Sequence, residues 1–310
     1  MAIWDRPWPA PAAGRPGQVE DRKALGVGMM ALAVIFFTCI DTSAKWLILA
    51  GLPAIQVVWI RYAGHFLVSL ALYLPKGGLG AFRSKSPGKQ LLRSVFLFGS
   101  TILNFTALKY LPITVTTTIM FAGPIAVTLL AIPLLGERVG AHRIAAVCVG
   151  FVGVLVVMRP WGVEFHPAML LSLAALTVAA LYFIMTRMLA GVETNATSQL
   201  WSSGLATLCL APVALPVWVM PEAGIDVLVL LLIGCFGAFG HISATFAHRM
   251  ADASLLAPVI YIQIFFAAMA GVLVFDTWPT IYTLGGGAII VAAGIYIWHR
   301  ERVRAVAPDG

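Results

Sequence analysis

Long apolar segments separated by short polar connections fill almost the whole chain. Each segment is close to the roughly 20 apolar residues that an α-helix needs to cross a membrane. The connections hold proline, glycine or charged residues, and no stretch of soluble composition lies between the segments. The pattern therefore predicts an all-α integral membrane protein with ten transmembrane helices, near residues 24–49, 53–75, 90–110, 113–135, 140–158, 167–189, 195–218, 226–247, 254–276 and 279–299.

The composition agrees with this pattern. Apolar residues make up 60% of the 310 residues and charged residues 11%, whereas soluble domains average roughly 45–50% and about 25%. A soluble enzyme, a nucleic-acid-binding protein and a disordered chain are therefore disfavoured. The chain has no P-loop, no H-E-x-x-H run, no serine elbow and no cluster of metal ligands, so we expect neither enzymatic activity nor a cofactor or metal.

The two ends differ from the apolar segments. Residues 1–23 carry four prolines among alanine, glycine and charged residues, a composition that favours a mobile chain over a helix. They lack the short apolar core and cleavage site of a secretory signal. We expect residues 1–23 to form a disordered cytoplasmic tail and residues 301–310 a cytoplasmic C-terminal tail.

The positive charges indicate the orientation in the membrane. Ten spans with a cytoplasmic N-terminus place 16 of the 20 Lys and Arg residues on the cytoplasmic side. Only Lys109 and Arg159 fall on the opposite side, while Lys45 and Arg61 lie within spans. Cytoplasmic loops of membrane proteins are enriched in positive charge. We therefore expect a multi-pass protein of a bacterial-type cytoplasmic (inner) membrane with both termini in the cytoplasm.

A weak internal repeat relates the two halves of the chain. A shift of about 140 residues sets Ala107 against Ala247 and Lys109 against Arg249. Each half contains five predicted spans, and because five is odd the second half enters the membrane from the opposite side. This predicts two inverted five-helix repeats, residues 24–160 and 161–300, around a central cavity, a plan common among secondary transporters.

Several motifs carry a family resemblance. The run from Pro124 to Gly136-Glu137-Arg138, the glycine-rich helix ending at Arg159-Pro160, and the second-half residues 251–258, Tyr261, Gln263, Val274-Phe275 and Pro279 resemble the EamA-type pattern of the drug/metabolite transporter superfamily. The resemblance implies a ten-helix inverted-repeat fold with a cavity lined mainly by helices 1, 3, 4, 6, 8 and 9. Among family members the chain looks most like bacterial amino-acid and metabolite exporters, including exporters of aromatic amino acids.

One position departs from the family pattern. The glutamate expected in the second half is replaced by Thr277. Glu137 therefore has no symmetric counterpart, and we interpret it as a loop-end residue that holds helix ends together.

Charged residues inside the predicted spans are candidates for coupling or gating, because burying a charge in a membrane is costly. Asp41 and Lys45 share a helix face at i,i+4 spacing and can form an ion pair. Alternatively, Asp41 is a proton site or a site for a substrate amine. Arg61 can reach outward to the membrane surface or bridge to Asp41. Pro124 can bend its helix during gating or form a static kink.

A second set of polar and aromatic residues lies at similar depth in the predicted spans. Neutral polar groups can bind a zwitterion without a large desolvation cost, and aromatic rings can stack on a substrate. Each of these residues could equally serve as a helix–helix contact. The candidate substrate-binding residues are Phe37, Thr101, Asn104, Phe105, Met120, Phe121, Tyr182, His241, Tyr261 and Gln263.

These observations favour a secondary transporter that exports amino acids, aromatic or other, or related small metabolites by alternating access. An exporter of organic cations or drugs and a metabolite importer remain alternatives, as do an intramembrane enzyme and a structural membrane subunit. The expected partners are a small-molecule substrate, membrane lipid and a second copy of the chain in a homodimer, with no nucleic acid.

Overall fold

A computed structural model describes residues 16–135, 141–162, 165–189, 192–222, 224–251, 256 and 259–306. Within these residues the chain is helical, without strands, and two short 3₁₀ turns, Gly78–Phe82 and Leu215–Val217, extend α2 and α8. The α-helices are α1 (Pro16–Leu49), α2 (Ala54–Gly77), α3 (Pro87–Leu108), α4 (Ile113–Met120), α5 (Gly123–Leu135), α6 (Ala141–Met158), α7 (Ala168–Leu189), α8 (Asn195–Ala214), α9 (Gly224–Met250), α10 (Ile262–Phe275) and α11 (Ile281–Val306).

Seven helical segments in the described part are long and apolar enough to cross a membrane. One of them, Ile113–Leu134, combines α4 and α5. Three further apolar helices are shorter: Ile144–Met158, Ile262–Phe275 and Ile281–Ile297. The all-helical membrane fold is thus confirmed, whereas the count of ten spans stays a prediction.

The helix ends differ from the predicted ones at three places. α1 begins at Pro16, within the segment expected to be a disordered tail, because proline is tolerated in the first turn of a helix. α11 continues to Val306, since a helix does not have to end where its apolar stretch ends. The fourth apolar segment is broken between Met120 and Gly123.

Large apolar side chains on the outside of the bundle stay exposed. Leu208, Leu231 and Leu273 are among the most exposed of them. In water such a surface would drive aggregation, whereas lipid tails solvate it as well as a protein core does. The exposed apolar side chains therefore agree with a chain embedded in lipid.

The helices pack through a small set of pairs: α1 with α9, α3 with α7, α6 with α11, and α2 with both α8 and α9. Glycines permit the close approach of α2 and α9, since a Cβ at Gly64 would lie 2.8 Å from the Cα of Gly234. α6 and α11 meet in the same way at Gly153 and Gly286. This close packing places polar residues of α1, α2, α3 and α9 next to one another.

Candidate functional site

Five polar side chains meet where α1, α2, α3 and α9 converge, and we call them the polar cluster. α1 contributes Asp41, α2 contributes Arg61 and His65, α3 contributes Asn104, and α9 contributes His241. At a rise of about 1.5 Å per residue, Asp41 lies about 12 Å from the end of α1 and Arg61 about 10 Å into α2. Both charges are therefore well inside the membrane-spanning part of the bundle.

Asp41 makes few contacts for a carboxylate at this depth. Its Oδ1 accepts a long hydrogen bond of 3.4 Å from Nδ2 of Asn104. Asn104 Oδ1 is itself buried without a hydrogen-bond partner. The charge of Arg61 acts on Asp41, yet no hydrogen bond joins the two side chains. Asp41 is partly exposed, so it can accept a further ligand.

Arg61 is 6% exposed, and its Nε and Nη1 atoms have no hydrogen-bond partner. The guanidinium lies over the ring of Tyr62, 4.5 Å from the ring centre. On α9 it faces Gly237, where an added Cβ would lie 3.8 Å from the Arg61 side chain. A guanidinium has five N–H donors, and those on Nε and Nη1 remain free to bind an acceptor.

Aromatic rings border the charged groups. The imidazoles of His65 and His241 are stacked, with centroids 5.4 Å apart and planes at 15°. Phe37 meets His241 edge-on at 5.2 Å. His65 is 1% exposed, and neither ring nitrogen has a hydrogen-bond partner of normal geometry, although the Gln199 side chain lies beside it.

Two glycines of α9 lie against these rings, and Gly240 makes room for Phe37. A Cβ at Gly240 would lie 2.9 Å from the ring of Phe37, closer than real Cβ atoms come to other groups. At Gly237 an added Cβ would lie 3.9 Å from Cβ of His65. The i,i+3 spacing of the two glycines puts them on one face of α9, which is the face that meets α1 and α2.

The expected ion pair between Asp41 and Lys45 does not form. The Lys45 ammonium donates a hydrogen bond to the backbone carbonyl of Leu111 and lies 5.3 Å from the ring centre of Phe275. The i,i+4 spacing is compatible with a pair, but an acceptor on the neighbouring connection takes the ammonium instead. Lys45 therefore ties α1 to the α3–α4 connection and to the end of α10.

The other predicted site residues do not all join the polar cluster. Phe105 is buried in the apolar core between α1, α2 and α3, so its interpretation as a substrate contact is not supported by its position. Thr101 shares a hydrogen bond of 2.8 Å with Tyr62. Gln263 is half-buried near the start of α10, and Pro124 is exposed in the first turn of α5.

Met120, Phe121 and Tyr261 form a separate apolar group. The rings of Phe121 and Tyr261 lie 5.5 Å apart. Phe121 belongs to a second core, between α4, α5, α6 and α11, and Met120 and Tyr261 pack against it. The Tyr261 hydroxyl lies against the backbone of Gly294 on α11. These residues connect α10 to the second core. Glu137 lies outside the described residues.

The sequence does not single out Arg93 as a buried residue, because the charge pattern assigns it to the positive residues on the cytoplasmic side. It is 5% exposed and joins α3 to α7 and α8. Its Nε donates to Thr186 at 2.8 Å, its Nη1 to Ser202 at 2.6 Å, and its Nη2 to the Tyr182 hydroxyl at 2.9 Å. Tyr182, a predicted substrate contact, is thus held by Arg93.

The described residues hold no group of three or more His, Cys, Asp or Glu side chains that could bind a metal ion. The polar cluster instead combines one cation, one anion, an amide and two imidazoles. Such a set can hydrogen-bond a small polar molecule and stack on its apolar part.

Comparison with known proteins identifies the family. The sequence model of the EamA-like transporter family matches residues 24–159 and again residues 166–298. The chain belongs to the EamA-like transporter family. It is therefore a membrane transporter, and the expected EamA resemblance is confirmed.

Several relatives with assigned names align over almost their whole length. A riboflavin transporter of Rhizobium johnstonii is 28% identical over 93% of this chain and 95% of its own length. An S-adenosylmethionine uptake transporter of Rickettsia prowazekii is 28% identical over 89% and 93%. A riboflavin transporter of Vibrio cholerae is 29% identical over 90% and 95%. These names differ from the aromatic amino-acid exporters expected within the family.

A solved crystal structure shares the fold. It covers 93% of this chain and 99% of its own, with a TM-score of 0.61 at 19% identity. At this identity the likeness concerns the fold alone.

Proposed function

We propose that this protein is a secondary transporter of the cytoplasmic membrane that takes up a small metabolite with a planar heteroaromatic ring. The observation that carries the proposal is the match, over nearly their full length, to relatives named as riboflavin and S-adenosylmethionine transporters. Riboflavin carries an isoalloxazine ring and S-adenosylmethionine carries an adenine ring, so both compounds combine a flat ring with polar groups.

The polar cluster and its neighbours suit such a substrate. Phe37 and His241 offer ring surfaces at the position where α1 meets α9. Arg61, Asp41 and Asn104 offer hydrogen-bonding groups next to them. Flat rings bind by stacking on aromatic side chains, while a few polar groups fix their orientation. Phe37, Asp41, Asn104, Arg61 and His241 are therefore the substrate contacts that we propose.

Alternating access between two inverted repeats is supported by two features. The family model matches the chain twice, once in each half. The contacts between the halves follow the same relation when α1, α2 and α3 are matched to α7, α8 and α9. The packing of α1 on α9 then corresponds to that of α7 on α3, and the packing of α2 on α9 corresponds to that of α8 on α3. Transporters with this plan rock one repeat against the other around a site between them.

Contacts near the helix ends support the proposed order of the spans. On the side assigned to the cytoplasm, Ser84 donates a hydrogen bond of 2.6 Å to Glu193. On the opposite side, Trp46 donates to Asp226 at 2.7 Å, near the end of α1. Each contact joins segments that the ten predicted spans place on the same side of the membrane, which supports this arrangement of the spans.

Uptake of labelled substrates into proteoliposomes tests the proposal. Riboflavin, S-adenosylmethionine, phenylalanine and a quaternary ammonium cation form the panel, with and without a pH gradient, against protein-free liposomes. We expect saturable uptake of a ring-bearing metabolite that its unlabelled form inhibits. The variant Asp41→Asn should reduce this flux, while Arg83→Gln, which changes an exposed connection residue, should not.

The same panel separates the alternatives. Saturable phenylalanine flux without flux of either metabolite would replace the proposal by amino-acid transport, and flux of the cation alone would replace it by drug transport. Flux assays in whole cells test the direction of transport. Accumulation of substrate from the medium supports uptake, and loss of preloaded substrate supports export.

A further inference from the structure

Two buried arginines of this bundle differ in their contacts. The Arg93 guanidinium donates to the side chains of Thr186, Ser202 and Tyr182. Arg61 is equally buried, yet its Nε and Nη1 have no partner. A buried N–H group that has no acceptor costs free energy. The contrast indicates that Arg61 is kept for a group that the chain itself does not supply.

An anionic group is the natural ligand of Arg61. A guanidinium presents its N–H groups as a planar fork that matches a carboxylate. His65, one helical turn further along α2, lies beside Arg61 with the Gln199 side chain next to it, and a neutral imidazole can add one N–H donor. The carboxylate of Asp41 does not occupy this fork, since it receives its hydrogen bond from Asn104.

Asp41 supplies the complementary charge. Its carboxylate has a single long hydrogen bond of 3.4 Å and is partly exposed. A carboxylate in such surroundings favours an ammonium group, which brings up to three donors. The N–H groups of Arg61 that lack an acceptor and the carboxylate of Asp41 lie in the same cluster, and together they match the two opposite charges of a zwitterion.

We propose that the polar cluster recognises an α-amino-acid head group on the transported metabolite, with Arg61 binding its carboxylate and Asp41 its ammonium. This inference rests on the proposed function and specifies the substrate class. The ring-bearing part of the substrate then lies towards Phe37 and His241, whose rings border the charged groups.

Three probes test the charge contacts. S-Adenosylmethionine carries the complete head group, whereas decarboxylated S-adenosylmethionine lacks only the carboxylate. Riboflavin has a ring but neither charge of the head group. Equilibrium binding to purified protein and uptake into proteoliposomes are measured for each probe with wild type, Arg61→Gln, Arg61→Lys and Asp41→Asn.

Wild type is expected to bind S-adenosylmethionine at least tenfold more tightly than its decarboxylated form. A hydrogen bond between charged groups contributes about 1.5–3 kcal/mol, equivalent to roughly 10–100-fold in affinity. Arg61→Gln should weaken binding of S-adenosylmethionine by such a factor and leave the decarboxylated probe nearly unchanged. Arg61→Lys keeps the charge but loses the planar fork, so its affinity for S-adenosylmethionine should lie between those of wild type and Arg61→Gln.

Loss of selectivity, rather than loss of binding, is the decisive readout. If Arg61→Gln weakened both forms of the probe equally, Arg61 would have a structural role and the inference would be wrong. Equal affinity of wild type for both forms would also overturn it. Melting temperatures of the variants, with Arg83→Gln as control, show which of them fold.

The inference and the proposed function fail in different ways. Saturable riboflavin uptake, together with no binding of S-adenosylmethionine, would contradict the amino-acid head group but leave a metabolite transporter. No saturable uptake of either compound by folded wild-type protein would contradict the proposed function, and the inference would fall with it.

Discussion

Gly64 and Gly234 set the distance between α2 and α9, the helices that carry Arg61, His65 and His241. A Cβ at Gly64 would lie 2.8 Å from the Cα of Gly234, and a Cβ at Gly234 would lie 2.6 Å from the Cα of Gly64. Ordinary contacts begin at 3.4 Å. Gly64→Ala therefore requires the two backbones to separate by 0.6 Å, the difference between 3.4 and 2.8 Å, because no flexible side chain can move aside.

The free energy of this substitution follows from two opposing effects. Overpacking a well-packed contact costs about 1–3 kcal/mol. Replacing a glycine inside a helix by alanine stabilises the helix by roughly 0.5–1 kcal/mol. We expect Gly64→Ala to lower the free energy of unfolding by about 1–2 kcal/mol. Gly285→Ala in α11 is the matched control, because nothing lies within 4 Å of its Cβ, so it should leave stability unchanged or raise it.

Thermal unfolding of the detergent-solubilised protein measures both variants, and substrate flux is recorded in parallel. Gly64→Ala should melt below wild type and transport more slowly, because Arg61 and His65 would move away from α9. A melting temperature equal to those of wild type and Gly285→Ala would refute the argument, since it would mean that α2 and α9 are not in tight contact at this point.

Three further changes have defined outcomes. Arg93→Gln should melt well below Arg83→Gln, since each buried hydroxyl left unpaired costs about 1–3 kcal/mol; equal melting temperatures would contradict this. Thr194→Ala removes the side-chain cap of α8 and should cost about 1 kcal/mol in unfolding free energy, whereas Thr194→Ser should not. In a background without the four native cysteines, an impermeant thiol reagent applied to whole cells should label Gly162→Cys and not Ser84→Cys; the opposite pattern would reverse the proposed orientation.

The sequence was sufficient to predict the helices but not all of their ends. Apolar length is a direct physical requirement for crossing a membrane, so every predicted span coincides with helical structure in the described residues. Helix ends follow backbone geometry instead. Pro16 can start α1 outside the apolar stretch. The break after Met120 precedes Pro124, which has no N–H to donate to the preceding turn.

The candidate site was predictable only in part. Asp41 and Arg61 stand out in sequence because each is a charge within an apolar segment. Their partners depend on tertiary contacts, and so the spacing to Lys45 led to a wrong ion pair, while a carbonyl of Leu111 was the actual acceptor. The stacking of His65 on His241 has no signal in sequence.

Arg93 and Arg61 show why burial alone does not identify a binding residue. Both guanidiniums are buried between helices, and in sequence each is a single arginine within or beside an apolar segment. At Arg93, hydroxyl acceptors from α7 and α8 surround the cation. At Arg61, α9 presents Gly237, which adds space and no acceptor. A bundle that needed Arg61 only for packing would gain by placing an acceptor or an apolar side chain there. The lack of an acceptor on α9 beside Arg61 is therefore the feature that links the packing of α2 and α9 to the proposed recognition of a substrate carboxylate.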